Sequence, residues 1–457
     1  MRYQQAVDYL QSFVNYECLS NYRYEGSFKL RRMKSFLASV NNPHQGLSVI
    51  HVAGSKAKGS VCSFIGSILK EAGLKVGLYT SPHLNDFRER IRILSKGRGR
   101  NRYAGEFEGM IPRKQLCGLV EKMRPSIKHF NASSRYGPLT FFEVYTSIAF
   151  EYFRQQKVDI VVLETGLGGR FDATNTAQSL MCVITPVSHE HTYLLGKSLR
   201  KIAYEKASII KKENRTTQEG KRIALTAAQR SSVRRVVGWL AHKNNALLFE
   251  EGRHFRYAIK KHCRFDYSGL AVVLKNLRPS LAGEHQIANA SLAIAACEAL
   301  RYHTIVIAPS AMRRGIASCR WPARFEVVRS RPAIVFDGAQ NDASMQALRS
   351  AMRRRFPKKN YWVVFGISRD KEIARTCRVV SRMSKRIILT KSDNPRAMEP
   401  DRLARYFPRS ELFISDSVAQ AMEYALSQAD KKDVIVVTGS LFVCAQAREM
   451  VRAEGFR

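Results

Sequence analysis

The sequence predicts an α/β fold in two parts, each a mostly parallel sheet flanked by helices, and three observations carry that expectation. The first is residues 47–60, L-S-V-I-H-V-A-G-S-K-A-K-G-S, a β-branched apolar run that breaks into a small-residue turn and leads into a helical pattern at 61–72. The second is the return of short apolar runs at 76–80, 158–163 and 181–185, each ending in glycine, hydroxyl or charged residues. The third is a fresh alternation of strand and helix patterns after position 321, with strand-like runs at 334–337, 361–366, 386–390, 412–414 and 433–438. Helices between successive strands favour parallel pairing. The second part therefore reads as a smaller Rossmann-like unit, although no G-x-G-x-x-G follows its first strand and a dinucleotide site is not expected there.

Length and composition set the outer bounds. At 457 residues the chain is long enough for two or three domains, and 45% hydrophobic content is ordinary for a globular protein. It contains no uninterrupted apolar run of about eighteen residues, and positions 1–17 are polar, so a soluble cytoplasmic protein without membrane association is expected. The nine cysteines (Cys18, Cys62, Cys117, Cys182, Cys263, Cys297, Cys319, Cys377 and Cys444) are scattered singly without C-x-x-C, which points to reduced core residues. The formal charge of +38 would draw polyanions. Its densest groups, at 29–34, 96–102 and 353–359, lack interleaved aromatics, so no specific nucleic-acid partner is expected and the excess reads as solvated faces or a general basic bias.

In chain order, residues 1–42 give two helical stripes, Tyr9, Phe13 and Tyr16, then Leu30, Met33, Phe36, Leu37 and Val40, ended by Asn41-Asn42-Pro43. The 47–60 stretch reads as a phosphate-binding loop. A triphosphate needs close backbone amides, a lysine for its outer phosphates and a hydroxyl for a metal ion, and Gly54, Lys58, Gly59 and Ser60 supply these. Lysine precedes the second glycine here, unlike the common G-x-x-x-x-G-K-[ST] order. The next strand ends in Thr80-Ser81-Pro82-His83, which brings small polar groups to the carboxyl edge of a sheet, where ligands bind. The basic loop 97–109 has no assignment. A helix is expected over 140–156, and the strand after it delivers Glu164 into T-G-L-G-G-R-F-D-A-T-N. A carboxylate at a strand tip beside glycines suits magnesium-nucleotide chemistry, because magnesium takes oxygen ligands, and without a metal a buried Glu164 would be costly.

The strand at 181–185 leads to P-V-S-H-E-H-T and a helix containing Y-E-K-A-S-I-I-K, while 222–226, 246–250 and the runs between 255 and 274 suggest a strand followed by a small antiparallel hairpin region. Residues 283–296 form an Ala-rich helix able to pack closely. The segment 301–320, with Pro309 and a short basic helix, reads as the crossing into the second part.

Nine blocks, A-G-S-K-A-K-G-S, T-S-P-H-L, E-T-G-L-G-G-R-F-D-A-T-N, E-H-T, H-Q-I-A-N-A, W-P-A-R-F-E, F-D-G-A-Q-N, S-R-D-K-E and T-G-S-L-F, resemble in order the folylpolyglutamate and dihydrofolate synthases, relatives of the Mur ligases. The resemblance implies an ATP-binding Mur-ligase-like central domain at 1–303, a linker at 304–320 and a glutamate ligase domain at 321–457. It implies ATP-driven joining of L-glutamate to a folate or dihydropteroate carboxylate through an acyl phosphate, with magnesium, one or two ions, as cofactor and a monomeric enzyme. By the same resemblance, residues 28–33 border the pterin pocket or only pack, Asn289 contacts adenine, and Arg324 and Asp337 serve nucleotide phosphate and ribose. The metal set is then Ser60 or Ser81, Glu164 and His191, with Lys206 matching a carbamylated lysine that supports a second ion; the other reading of Lys206 is a surface ion pair with Glu205. The chain departs from the family at Ala57 (usually glycine), Glu190 (usually aspartate) and Gln340 (usually histidine). Together these leave open a catalytically impaired ligase fold that binds anions or nucleic acid.

Overall fold

A computed structural model describes residues 1–17, 19, 29–97, 107–212, 222–227 and 229–453. Cys18, Phe28 and most of the 97–109 loop lie outside the described residues. The first sheet contains β1 (Val49–Ala53), β2 (Val76–Tyr79), β3 (Ile91–Leu94), β4 (Ile160–Glu164), β5 (Ser179–Ile184), β6 (Ile223–Thr226) and β7 (Leu247–Glu250). Its order is β3-β2-β4-β1-β5-β6-β7, parallel throughout except for the edge strand β3, which runs antiparallel to β2. The strand that enters the phosphate-loop sequence is therefore central, with Val52 opposite Glu164 on β4 and Ala53 opposite Ile184 on β5. Both faces of β1 and β4 are covered, which is why those strands read as unbroken apolar runs and not as alternating ones.

On one face lies the helix Lys58–Glu71, wedged between the sheet and the helices Glu284–Ala299 and Pro309–Ser318. Ile50, Val52, Ile65, Ile68, Val162, Ala293, Ile294 and Ile316 make up the centre of that core. Burying each such aliphatic side chain contributes roughly 1.5–3 kcal/mol. The approach is close because the residues are small: a Cβ on Gly315 would lie 2.4 Å from Ile68 Cα. The other face carries Leu30–Ser39, Arg113–Ser133 and Phe141–Gln155, and there the buried Arg32 guanidinium meets the Glu143 carboxylate at 2.9 Å.

A small antiparallel sheet, β8 (Arg256–Ile259), β9 (Phe265–Ser268) and β10 (Val273–Leu277), follows. The last sheet holds β11 (Glu326–Ser330), β12 (Ala333–Asp337), β13 (Tyr361–Phe365), β14 (Arg386–Leu389), β15 (Glu411–Ile414) and β16 (Val434–Thr438) in the order β11-β12-β16-β13-β14-β15. Only β11 is antiparallel in it. The α/β class and the two parallel-rich sheets are as the sequence predicts. Among the described residues no helix is long and apolar enough to cross a membrane.

Several local expectations are corrected. The first helix spans only Tyr3–Gln11, so Phe13 and Tyr16 follow it and do not continue its stripe. The strand at 247–250 joins the main sheet beside β6, because the helix Ser231–Lys243 supplies a crossover between them; the antiparallel sheet is confined to 256–277. The phosphate-loop helix begins at Lys58, earlier than the apolar pattern suggests, since the turn is completed at Ala57.

Candidate active site

The carboxyl ends of β1, β2, β4 and β5 bring the loop, Ser81, Glu164 and Thr185 to one edge of the sheet. Gly54 is required by close approach: a Cβ there would lie 1.8 Å from Thr185 Oγ1. The turn is pinned to the end of β5, with the Ser55 and Lys56 amides donating to the Pro186 carbonyl at 3.1 and 3.3 Å and Thr185 Oγ1 donating to the Lys56 carbonyl at 2.6 Å. Those two amides are thus spent on the scaffold. The amides of the first helical turn, at Lys58, Gly59 and Ser60, have no side-chain cap and project from the helix end, an arrangement that favours an anion. Ala57 adopts φ 68°, the left-handed conformation that the family's glycine would take without penalty. The substitution leaves the turn formed, at about 1–2 kcal/mol of strain for a residue with a Cβ. Glycine's greater unfolded-state freedom offsets roughly 0.5–1 kcal/mol of that strain, so Ala57→Gly is expected to stabilise the protein by up to ~1 kcal/mol. Urea unfolding of the two proteins checks this, and a lower midpoint for the glycine variant would show that the turn is not strained.

The Gly54 carbonyl is the meeting point of two cations. Lys58 Nζ donates to it at 3.3 Å and Lys206 Nζ at 2.9 Å. Lys206 is 2% exposed, and burial together with the neighbouring Lys58 ammonium pushes its amine down to about 7, against weaker support from Glu190 and Asp172. The surface pair with Glu205 is therefore excluded: the Glu205 side chain instead meets Arg170, with Nη1 3.4 Å from Oε1. The glycines of T-G-L-G-G-R-F-D explain how Lys206 arrives. A Cβ on Gly169 would lie 2.8 Å from both the Glu205 and Lys206 carbonyls, and the Arg170 amide donates to the Glu205 carbonyl at 2.8 Å, so this loop presses directly on the helix Leu199–Ala207. Asp172 shapes the loop by accepting the Leu167 and Thr174 amides at 2.9 and 3.0 Å.

Glu164 is 4% exposed at the end of β4 and accepts one amide, from Ser81, at 3.2 Å. Burial pushes its carboxyl up to about 7, opposed by Lys58, the Ser81 amide and Arg324. His191 occupies a left-handed position, φ 49°, at the head of the short helix Thr192–Leu195, with Nε2 4.0 Å from Glu190 Oε1. Burial holds the imidazole down to about 4, and the ammonium groups of Lys206, Lys371 and Lys58 act in the same direction against Glu190, so the ring is neutral near pH 7. Glu164, at the end of β4, and His191, on the loop beyond β5, thus both lie within electrostatic reach of Lys58. Ser60 is buried and receives Gln286 Nε2 at 3.5 Å, and Asn289 Nδ2 in turn donates to Gln286 Oε1 at 2.9 Å. Asn289 is placed behind Gln286 on the helix that packs against the phosphate-loop helix.

From the second part, Arg324 lies near both Glu164 and Asp337, lowering the tendency of each carboxyl to hold its proton. Asp337 accepts the Phe325 and Ala339 amides at 2.9 Å each, so its two oxygens shape the turn that presents Arg324. Gln340 sits in the following turn, where its amide donates to Ser344 Oγ at 3.2 Å. Sequence reasoning passed over Lys371 beside His191, Gln286 against Ser60 and Thr185 under Gly54. Lys371 and Gln286 lie inside the blocks S-R-D-K-E and H-Q-I-A-N-A, whose recurrence was the available signal.

Comparisons with known proteins agree with this architecture. The Mur ligase middle domain matches residues 139–297, and the Mur ligase glutamate ligase domain matches residues 323–441. The chain is 32% identical over 435 residues to the dihydrofolate synthase/folylpolyglutamate synthase of Bacillus subtilis, covering 93% of this chain and 95% of that protein. It is 31% identical to the enzyme of the same name from Escherichia coli, covering 89% and 87% of the two chains. The structure of Mycobacterium tuberculosis folylpolyglutamate synthase complexed with ADP superposes with a TM-score of 0.85 at 26% identity, covering 98% of each chain. Family motifs in order, two parallel-rich sheets and a lysine-rich loop at the carboxyl edge of the first lead to one conclusion: this chain belongs to the folylpolyglutamate synthase/dihydrofolate synthase family of the Mur ligase superfamily.

Proposed function

We propose that this protein is an ATP-dependent amide-forming ligase that joins L-glutamate to a folate or dihydropteroate carboxylate. The observation that carries the reading is the convergence of Lys58 and Lys206 on the Gly54 carbonyl, at an uncapped helix end and close to a buried carboxylate. That is a site short of negative charge and shaped for phosphate. We assign the nucleotide part to residues 1–303, the crossing to 304–320 and the glutamate-ligase part to 321–457, acting as a monomer in the cytoplasm.

In the first step an oxygen of the acceptor carboxylate attacks the γ-phosphorus of ATP, and ADP leaves. In the second, the glutamate amine attacks the acyl carbon, phosphate leaves and the nitrogen loses a proton. The amides at 58–60 hold the phosphates in place, Lys58 neutralises charge spreading over the transferred group, and Arg324 approaches from the other part of the molecule. Asn289 and Asp337 are assigned to the adenine and ribose.

Magnesium fits the donor set. Glu164 is a buried carboxylate bonded to one amide, and His191 is held neutral. Among the described residues no three or more His, Cys, Asp or Glu side chains form a ready-made cage. Ser60, Ser81 and the substrate phosphates would fill the shell, as is usual for magnesium, and the ion would polarise the phosphoryl oxygens. Replacing Glu164 by Gln or His191 by Ala is expected to raise the magnesium concentration needed for half-maximal activity by about 10–100-fold. Titrations that superimpose on the parent enzyme would place the ion elsewhere.

The reading is tested by ADP release from purified protein with ATP, magnesium and L-glutamate, supplying dihydropteroate and tetrahydrofolate in turn. Release with at least one acceptor is expected. No release with either, joined to salt-sensitive retention of nucleic acid on filters, would favour the impaired anion-binding reading, which the substitutions at Ala57, Glu190 and Gln340 motivate.

A further inference from the structure

We propose that Trp321, braced by Arg92, is a positioning residue that fixes the Gly59 backbone of the phosphate loop and ties it to the crossing that carries Arg324. The proposal rests on the phosphate-loop reading and adds to it a residue from outside the loop.

Trp321 lies on Gly59: a Cβ at that glycine would be 2.7 Å from Trp321 Cζ2 and 3.2 Å from Cε2. Gly59 has an ordinary helical backbone, so glycine is needed there for the indole and not for a turn. The indole also meets Arg92, whose guanidinium carbon is 5.0 Å from the Trp321 ring centre and 4.9 Å from that of Phe107. Phe107 packs edge-on to Trp321 at 5.4 Å.

Arg92 is 2% exposed on the edge strand β3, and its Nε and Nη2 have no hydrogen-bond partner. Leaving two buried donors unsatisfied costs more than a pair of cation–π contacts returns, so an apolar residue would serve stability better. What Arg92 supplies is a flat cation that holds the indole at a fixed height over the helix end.

The crossing is anchored on both sides of the tryptophan. Ser63 Oγ donates to the Arg320 carbonyl at 3.2 Å and Ser67 Oγ to the Gly315 carbonyl at 2.8 Å, which fastens the phosphate-loop helix to the end of Pro309–Ser318. Beyond it, Ala323 and Phe325 hold φ 56° and 48°, unusual for residues with side chains. The Ala323 amide donates to Glu326 Oε2 and the Phe325 amide to Asp337 Oδ2, both at 2.9 Å, and these contacts maintain the bend. Arg324 projects from the centre of that bend. A shift of the indole would therefore move the phosphate-loop amides and Arg324 relative to each other.

The test is a double-mutant cycle on ATP binding. Trp321→Leu keeps apolar bulk and folding but removes the flat ring; it is expected to raise the KM for ATP about tenfold, with a smaller fall in kcat. Trp321→Phe, which can still stack on Arg92, should recover most of the affinity. Gly59→Ala should weaken ATP binding, and combining it with Trp321→Leu should cost less than the two changes separately, because the methyl no longer meets the indole. An unchanged KM for ATP in Trp321→Leu, or strict additivity in the cycle, overturns the proposal even if thermal stability falls. Lys58→Ala measured alongside separates the two ideas. If that variant is active, the phosphate-loop reading fails; if it is inactive while the Trp321 variants bind ATP normally, only the positioning role fails.

Discussion

Lys58→Ala is expected to remove nearly all ATP-dependent ligation while leaving the fold intact. The ammonium group lies at the helix end, 3.3 Å from the Gly54 carbonyl, and is half-buried. It shares that carbonyl with Lys206, so removing it relieves a repulsion and opens no aliphatic core cavity. Thermal unfolding should therefore shift little. Catalysis is different, because charge that develops on the transferred phosphoryl group would lose a fixed positive partner in a partly desolvated site. Removing one preorganised stabilising group of this kind lowers turnover by about 10²–10³-fold. Initial rates of ADP release, with a melting curve for each protein, decide the matter. Near-normal turnover would show that the outer phosphates are held by another cation, with Lys206 the first to examine.

The strands that end at this site were legible because each carries two local signals, an apolar run buried on both faces and an abrupt change to glycine, hydroxyl or charge. Val49–Ala53 into Gly54 and Ile160–Glu164 into the glycine loop are of this kind. The edge of the sheet was less clear: Leu247–Glu250 is only partly covered, so its pattern resembled a hairpin strand, and its parallel pairing depends on a helix whose contribution is not local. Helix Arg113–Ser133 contains Gly118 and Pro125, which interrupt its pattern.

The site shows the same division. Gly54 and Glu164 stand where strands end, and Lys58 and His191 in the segments that follow strands, so all four are found by position. The residues that hold them in place are found only in three dimensions. Trp321 reaches Gly59 and Gln286 reaches Ser60 across more than two hundred positions of chain, and nothing near Arg92 in sequence says that it lies under an indole. Gly169 is an intermediate case: its presence in a glycine loop was visible, but its reason, contact with the helix of Lys206, was not.

Lys206→Ala is expected to lose most activity and to regain part of it with acetate or another small carboxylate. The geometry makes an unmodified ammonium a poor occupant of this position. Lys206 is buried, bonded to the Gly54 carbonyl and repelled by Lys58, and a magnesium ion near Glu164 would add to the repulsion. The same surroundings favour the neutral amine, with burial the larger influence. A neutral amine would add through its lone pair to the carbon of carbon dioxide and release a proton, so the side chain would change from neutral amine to carbamate anion and gain oxygens suited to magnesium. Such a carbamate would give Lys206 the negative charge that the site lacks. Loss of that anion should lower turnover by about 10²-fold or more, the size expected for removal of a buried group that stabilises transferred charge. Two measurements separate carbamylation from plain packing. Acetate should act on Lys206→Ala and not on the parent protein, since only the variant has both the space and the missing charge. Enzyme depleted of dissolved carbon dioxide should lose activity that bicarbonate restores, while Lys206→Ala ignores bicarbonate. Full activity of Lys206→Ala without any additive would mean that the lysine has no part in the reaction, and indifference of the parent enzyme to carbon dioxide would leave Lys206 acting as an amine.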